Sequence, residues 1–192
     1  MTTLRERKRL ATRAALLDAG RTLFEKEGFD KTSVDDIAAA ALISKFTFYN
    51  FFDSKDALLT ALHLEIFQSL AQDSGELIGK DVCVADVFVD RVSKMAEWYE
   101  QNKGLTRVIV ERGRLVFPSE KPDNCLDDLT SMIRYGQQKG EFRDDLAADD
   151  IARYAFVLAH GEKRNWVDRG CDYSLKEKFV QAANFVLMAL RK

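Results

Sequence analysis

The chain has 192 residues, of which 46% are hydrophobic and 31% charged, a globular balance with ample apolar material for a core. Only two prolines and ten glycines occur, which excludes a Pro- or Gly-rich linker and low-complexity tracts, and no internal repeat is visible. The net charge of −2 hides an asymmetry. Residues 1–55 hold ten basic and eight acidic residues, net +2, and residues 56–192 hold nineteen against twenty-three, net −4. A basic head on an acidic body points to a polyanion partner at one end.

The first segment, MTTLRERKRL, is basic through Arg5, Arg7, Lys8 and Arg9 but has no apolar stretch, so it does not read as a signal peptide. It reads as an arm able to enter a DNA minor groove. Leu10, Ala14, Leu17 and Phe24 then mark an amphipathic helix that stops near Gly28. Ser33, three residues before Asp36, forms a capping-box pattern that opens a short helix over about 34–40. A further helix begins near Ser44, and a longer one after Ser54.

Two short helices joined by a tight turn inside a basic segment fit a helix-turn-helix. Ala38 supplies the small residue where the helices cross, and Ile37, Ala41, Ile43, Phe48 and Phe51 are spaced to plug the joint. In ISKFTFYNFF, about 100° per residue puts Phe48, Phe51 and Phe52 on one side, as core. Phe46 falls opposite them, with Asn50 beside it, while Lys45 and Tyr49 share a flank and Thr47 takes the other. Lys45 and Tyr49 suit phosphate contacts, and Thr47 and Asn50 suit base edges or phosphates. An outward Phe46 suits a thymine methyl, and Lys55 suits a further phosphate.

Beyond residue 53 the periodicity predicts longer helices over 54–72, 82–101, 105–116, 123–139, 149–168 and 174–190, punctuated by Gly104, Pro118, Pro122, Gly140 and Gly170. No alternating strand pattern occurs, so the expected fold is all-α. The expected domains are a three-helix head over 1–53 and a helical body over 54–192, connected directly. The last two helices carry apolar stripes including Ile151, Ala155, Leu158, Phe179, Ala182, Val186 and Leu190. These fit a four-helix interface between two copies or ordinary intrachain core. Met95, Trp98, Tyr99, Phe117, Met132, Tyr135, Phe156 and His160, with the charged Glu111 and Arg114, are candidates for a pocket; aromatic and methionine residues at helical spacing also suit simple core.

Catalysis lacks a constellation. Only two histidines occur, HGE at 160–162 has no PCxxC partner, and no Walker, GxGxxG or GxSxG pattern is found. No cofactor and no metal are expected. Cys83, Cys125 and Cys171, odd in number and far apart, argue against disulfides and read as small buried hydrophobes in a reducing compartment. The uncharged run over 179–190 is short of the roughly 20 residues needed to span a bilayer, so a cytoplasmic protein with no membrane partner is expected.

The stretch TRAALLDAGRTLFEKEGFDKTSVDDIAAAALISKFTFYNFFDSKDALLTAL resembles the DNA-binding domain of the TetR family of transcriptional regulators, over about residues 10–62. LFEKEGFDKTSVDDIA and SKxTFYNFFxSKDALL carry the resemblance. It implies a three-helix head, a helical body for ligand binding and dimerisation, and a homodimer on a palindromic double-stranded DNA operator. Such proteins are usually repressors released by a small-molecule effector. By position it also implies phosphate contacts for Thr32 and Ser33. Family members commonly have glycine where Leu42 and Phe46 stand, so Leu42 is expected to be strained or its turn altered, and Phe46 to change docking. The expected mechanism is a population shift: effector binding moves the helix after Ser54, changes the separation of the two recognition helices and weakens operator affinity. Two rivals are a dimeric interaction protein with a repurposed head and a regulator with no small effector.

Overall fold

A computed structural model describes residues 3–75, 82–112 and 125–191. Among these residues all regular structure is helical. The order is α1 (Leu4–Glu27), α2 (Val34–Ala40), α3 (Lys45–Tyr49), α4 (Lys55–Gly75), α5 (Val84–Gln101), α6 (Lys103–Arg112), α7 (Cys125–Gln138), α8 (Ala148–Asp168) and α9 (Leu175–Leu190). The expected segments are present within a few residues of their predicted ends, the far end of the predicted 105–116 helix lying outside the described residues.

The chain divides into two compact units: 1–65 with 102–112, and 66–101 with 113–192. The expected division at residue 53 is therefore corrected twice. The first turns of α4 belong with the head because Leu58, Leu59 and Leu62 are buried there. α6 also belongs with the head, because it packs on α1 and buries Leu105, Thr106, Ile109 and Val110. α4 itself runs through the division as one helix.

In the first unit, α1 starts on a capping box between Thr3 and Glu6 and ends at Gly28, whose φ of +86° is a backbone region glycine enters without a Cβ penalty. Its buried face is Leu16, Leu17, Ala19, Gly20 and Phe24. Leu10 and Ala14, expected on that face, are exposed, since the core begins only at Leu16. At Gly20 a Cβ would meet Leu58 Cδ2 at 2.4 Å, so the missing side chain is what lets α4 lie close to α1. Arg21 pairs with Glu65 at 2.8 Å across the same contact.

In the second unit, α5 packs on α9, and α8 lies against α7 and α9. Phe88, Met132, Ile133, Phe142, Val186 and Leu190 close into an apolar seam with no water-sized space inside it. Nearer the start of α9, Trp166, Leu175 and Phe179 are buried with Tyr99, whose ring centroid lies 6.3 Å from that of Phe179. The Glu100 carboxylate accepts from the Ser174 hydroxyl at 3.3 Å and from the Lys176 amide at 3.1 Å, so α5 helps cap α9.

This packing corrects most of the expected stripe. Ile151, Ala155, Phe179, Val186 and Leu190 are buried inside the protomer, and Ala182 is half-buried. Leu158 is exposed, together with Tyr154, Val157, Phe185 and Met188. α9 is apolar almost all round, so its periodicity did not say which side turns inward. Cys171 is buried as expected, but Cys83 is exposed, and the side chain of Cys125 lies outside the described residues.

Candidate nucleic-acid interface

α2 and α3 are short, and caps rather than length hold them. The Ser33 hydroxyl accepts from the Asp36 amide at 3.1 Å, and the Asp36 carboxylate accepts from the Ser33 amide at 2.9 Å. The Ser33 hydroxyl also donates to Asp36 at 2.6 Å, and this pairing holds the Asp36 carboxyl below its ordinary range. α2 ends in a tight turn: the amides of Ala41, Leu42 and Ile43 donate back to Ile37, Ala39 and Ala38. Leu42 carries the turn at φ +57°, so the side chain expected to be strained does occupy the left-handed region. The Ser44 hydroxyl then caps α3 by accepting from the Thr47 amide at 3.1 Å.

The joint is filled by Ile37, Ala38 and Phe48, all buried, with Phe52 buried behind Phe48 at a ring separation of 5.9 Å. Phe51, expected as full core, is half-buried. On the opposite side Phe46 is 77% exposed and Tyr49 48% exposed. Lys45 and Asn50 are exposed beside them, and Thr47 is half-buried with its hydroxyl 2.9 Å from that of Ser44. Lys45 is engaged: its ammonium donates to Asp35 on α2 at 2.8 Å, a contact that raises its pKa. The face of α3 turned away from the core thus combines a cation, an amide, a phenol and a bare phenyl, a set able to meet phosphates, base edges and a methyl group.

Three expectations change. Arg5, Arg7, Lys8 and Arg9 lie on the first turns of α1, not on an extended arm. A helix is about 10–12 Å across and the minor groove about 6 Å wide, so this segment does not enter that groove. Thr32 is only 1% exposed and its hydroxyl donates to the Gly28 carbonyl at 2.9 Å, which removes it from the phosphate-contact set. Lys55 spends two of its donors on the carbonyls of Phe29 (2.5 Å) and Thr32 (2.6 Å), so its first task is to tie the loop before α2 to α4.

The pocket candidates are spread over α5, α7 and α8. Met132 is buried in the apolar seam and Tyr135 packs beside it. Trp98 and Tyr99 are edge-to-face at 5.5 Å, Met95 is half-buried on the same helix, and Phe156 stacks on His160 at 6.2 Å. Glu111 is exposed on α6, in the other unit. Arg114 and Phe117 lie outside the described residues. Sequence reasoning missed Lys163, buried at 4% exposure, with its ammonium 3.3 Å from the Tyr99 hydroxyl and 4.5 Å from the ring centroid. The only signal was its place one helical turn after His160. Among the described residues no group of three or more His, Cys, Asp or Glu is arranged to hold a metal ion, and no helix is long and apolar enough to cross a membrane.

A capped helix, a tight turn and a second helix with a polar outward face define a helix-turn-helix DNA-binding head. Residues 16–62 match the family described as bacterial regulatory proteins, tetR family. The chain is similar to the HTH-type dhaKLM operon transcriptional activator DhaS of Lactococcus lactis, 29% identical over 191 residues, covering 98% of this chain and 95% of that one. It is similar to the HTH-type transcriptional repressor DhaR of Mycobacterium sp. strain GP1, 25% identical over 169 residues, covering 80% and 81%. In fold it is similar to Thermus thermophilus FadR, a repressor solved in complex with lauroyl-CoA, at a TM-score of 0.74 and 20% identity over 94% and 96% of the two chains. Residues 16–62 are thus a DNA-binding head of the TetR type, and the chain as a whole is similar in sequence and fold to TetR-family transcriptional regulators.

Proposed function

We propose that the protein acts as a homodimer on an inverted-repeat operator, as a repressor released by a small-molecule effector bound in its helical body. The observation that carries this reading is the outward face of α3, where Lys45, Phe46, Tyr49 and Asn50 stand exposed over a joint sealed by Phe48. Tyr154, Val157 and Leu158 on α8 and Phe185 and Met188 on α9 support the dimer, since all five are exposed apolar residues on two neighbouring helices. Gly161 on α8 has open space around it, which suits close approach of a second copy. The buried Lys163 and Tyr99, near the half-buried His160, support an effector contact between α5 and α8.

A second reading keeps the operator and reverses the sign of regulation. The relationship to DhaS, named as an activator and similar over almost the whole chain, favours it, whereas that to DhaR favours repression.

Selection of fragmented genomic DNA by the purified protein at moderate salt tests the common core. A few enriched fragments sharing an inverted repeat support a dimeric, sequence-specific regulator. Enrichment of single half-sites rejects the dimer, and no enrichment by a protein shown to be folded rejects operator binding. Reporter transcription from the enriched fragment then decides the sign.

A further inference from the structure

On α8, His160 and Lys163 follow Phe156 by four and seven residues, so the three share one face of the helix. Phe156 and His160 are half-buried and stacked, whereas Lys163 is buried. The stripe thus runs from a partly open aromatic end to a covered ammonium. That ammonium lies 3.3 Å from the hydroxyl of Tyr99 on α5 and 4.5 Å from the centre of its ring. Tyr99 is buried too, and Met95, one turn earlier on α5, is half-buried.

Lysine is seldom buried, because taking its charge out of water is costly. Here it stands beside a phenol. The Tyr99 hydroxyl accepts from the ammonium and retains a proton to donate, so two donors of different kinds converge on one point. His160 is held below its ordinary pKa by burial and then by the positive charges of Lys163 and Arg164, so its ring is uncharged at neutral pH. Its surroundings are nevertheless positive.

We propose that the effector is an organic acid, its carboxylate held by the Lys163 ammonium and the Tyr99 hydroxyl and its apolar part lying along Phe156, His160 and Met95. This rests on the effector reading above and names the ligand's chemical class. A carboxylate at a poorly hydrated ammonium makes a charge-assisted hydrogen bond, stronger than the bonds of a neutral group in the same place. The half-buried rings and thioether match a tail without charge.

Isothermal titration calorimetry of the full chain tests this with straight-chain monocarboxylates from acetate to decanoate and with benzoate, each beside its primary amide. At least one acid should bind, and its amide should bind about ten-fold or more weakly. For that acid Lys163→Met, similar in length, should lower affinity roughly ten- to a hundred-fold and erase the preference over the amide. Tyr99→Phe should lower it about three- to ten-fold. Arg164→Gln should bind as the wild type does, since Arg164 is exposed and pairs with Asp168 at 3.1 Å.

An amide that binds as tightly as its acid overturns the assignment, as does a Lys163→Met protein with wild-type affinity. So does an Arg164→Gln loss equal to that of Lys163→Met, which would make the attraction one of general surface charge. Circular dichroism checks each variant, and if Lys163→Met does not fold, Tyr99→Phe and the acid–amide comparison decide. A folded wild type that binds none of the acids also overturns the anionic class. The effector reading itself falls only if a library of neutral and cationic compounds leaves operator affinity unchanged as well, so the two failures are distinct.

Discussion

The guanidinium carbon of Arg112 lies 4.1 Å from the centre of the Phe29 ring, although eighty-three residues separate them in the chain. Arg112 also pairs with Asp30 and, at 3.6 Å, with Asp56. The Lys55 ammonium stands 4.2 Å from the same ring centre. One phenyl thus gathers the end of α6, the start of α4 and the loop before α2. The chain leaves α5 at Gln101 and enters α6 at Lys103, so this cluster joins the head to a segment that continues directly from the body sequence.

Arg112→Ala should therefore destabilise the head by about 1–2 kcal/mol, combining a partly buried cation–π contact with half-exposed ion pairs. Arg112→Lys should recover only part of this, because an ammonium lacks the planar face that lies on the ring. Urea midpoints of the three proteins check the ordering. An alanine variant as stable as the wild type would show that Phe29 and Asp30 do not hold α6.

The Lys45–Asp35 pair ties a recognition-helix cation to an acid on α2, with both side chains more than half exposed. DNA phosphate has to compete with Asp35 for that ammonium. Asp35→Asn should raise affinity for a random-sequence duplex by about two- to five-fold, since an exposed pair competes only weakly with phosphate. It should also cost a few tenths of a kcal/mol of stability, because Asp35 lies in the first turn of α2, where the helix dipole favours an acid (about 0.3–1 kcal/mol). Fluorescence anisotropy and thermal melts read the two effects separately. Unchanged affinity would mean that Lys45 does not reach phosphate.

Leu42 is 92% exposed and sits at φ +57°, so its side chain gains little burial while its Cβ is strained. Leu42→Gly should stabilise the protein by about 0.5–1 kcal/mol, the left-handed penalty of ~1–2 kcal/mol less the extra entropy of glycine in the unfolded chain. A loss of stability in chemical denaturation would mean that the turn uses the leucine side chain.

Much of this head was readable because its signals are local. Ser33 and Asp36 are three residues apart, so the start of α2 follows from a cap pattern, and Val34–Ala40 matches the expected span. The separation of Phe48 and Phe52 from Phe46 follows from helical phase alone. What was not readable depends on distant partners. α6 shows an ordinary amphipathic pattern, and nothing local says that Leu105 and Ile109 are buried in the head unit. Lys163 looks like any helix-surface lysine until Tyr99, sixty-four residues earlier, is placed beside it. The basic segment before Leu10 has the composition of an arm, and only the Thr3–Glu6 capping box marks it as the start of a helix.

Phe46 offers a test of base reading. It is the more exposed of the two large rings on the outward face of α3, and a phenyl against a thymine 5-methyl group would bury one methyl. Replacing each operator thymine by uracil in turn should weaken wild-type binding about four-fold at one position per half-site, from ~0.8 kcal/mol per buried methyl group. Phe46→Ala should bind more weakly overall and show no loss at that position. Equal losses in both proteins would place the methyl contact elsewhere.

His160 makes stability depend on pH. Burial holds its pKa below the ordinary 6.5, and the nearby positive charges of Lys163 and Arg164 push in the same direction. The unfolded chain then binds a proton more readily than the folded one between the depressed folded value and 6.5. Stability from this residue is fully present above the unfolded value, falls as pH drops below it, and stops changing once pH is under the folded value. Melting temperatures taken from about pH 8 to about pH 5, above most carboxylate titration, should decline for the wild type. The decline should be shallower for His160→Gln, which keeps a polar side chain at that position without a titrating ring. Removing the neighbouring charge with Lys163→Met should reduce the slope without abolishing it, since burial is the larger cause. Parallel wild-type and His160→Gln profiles would show that the imidazole is hydrated enough to titrate as it does in the unfolded chain.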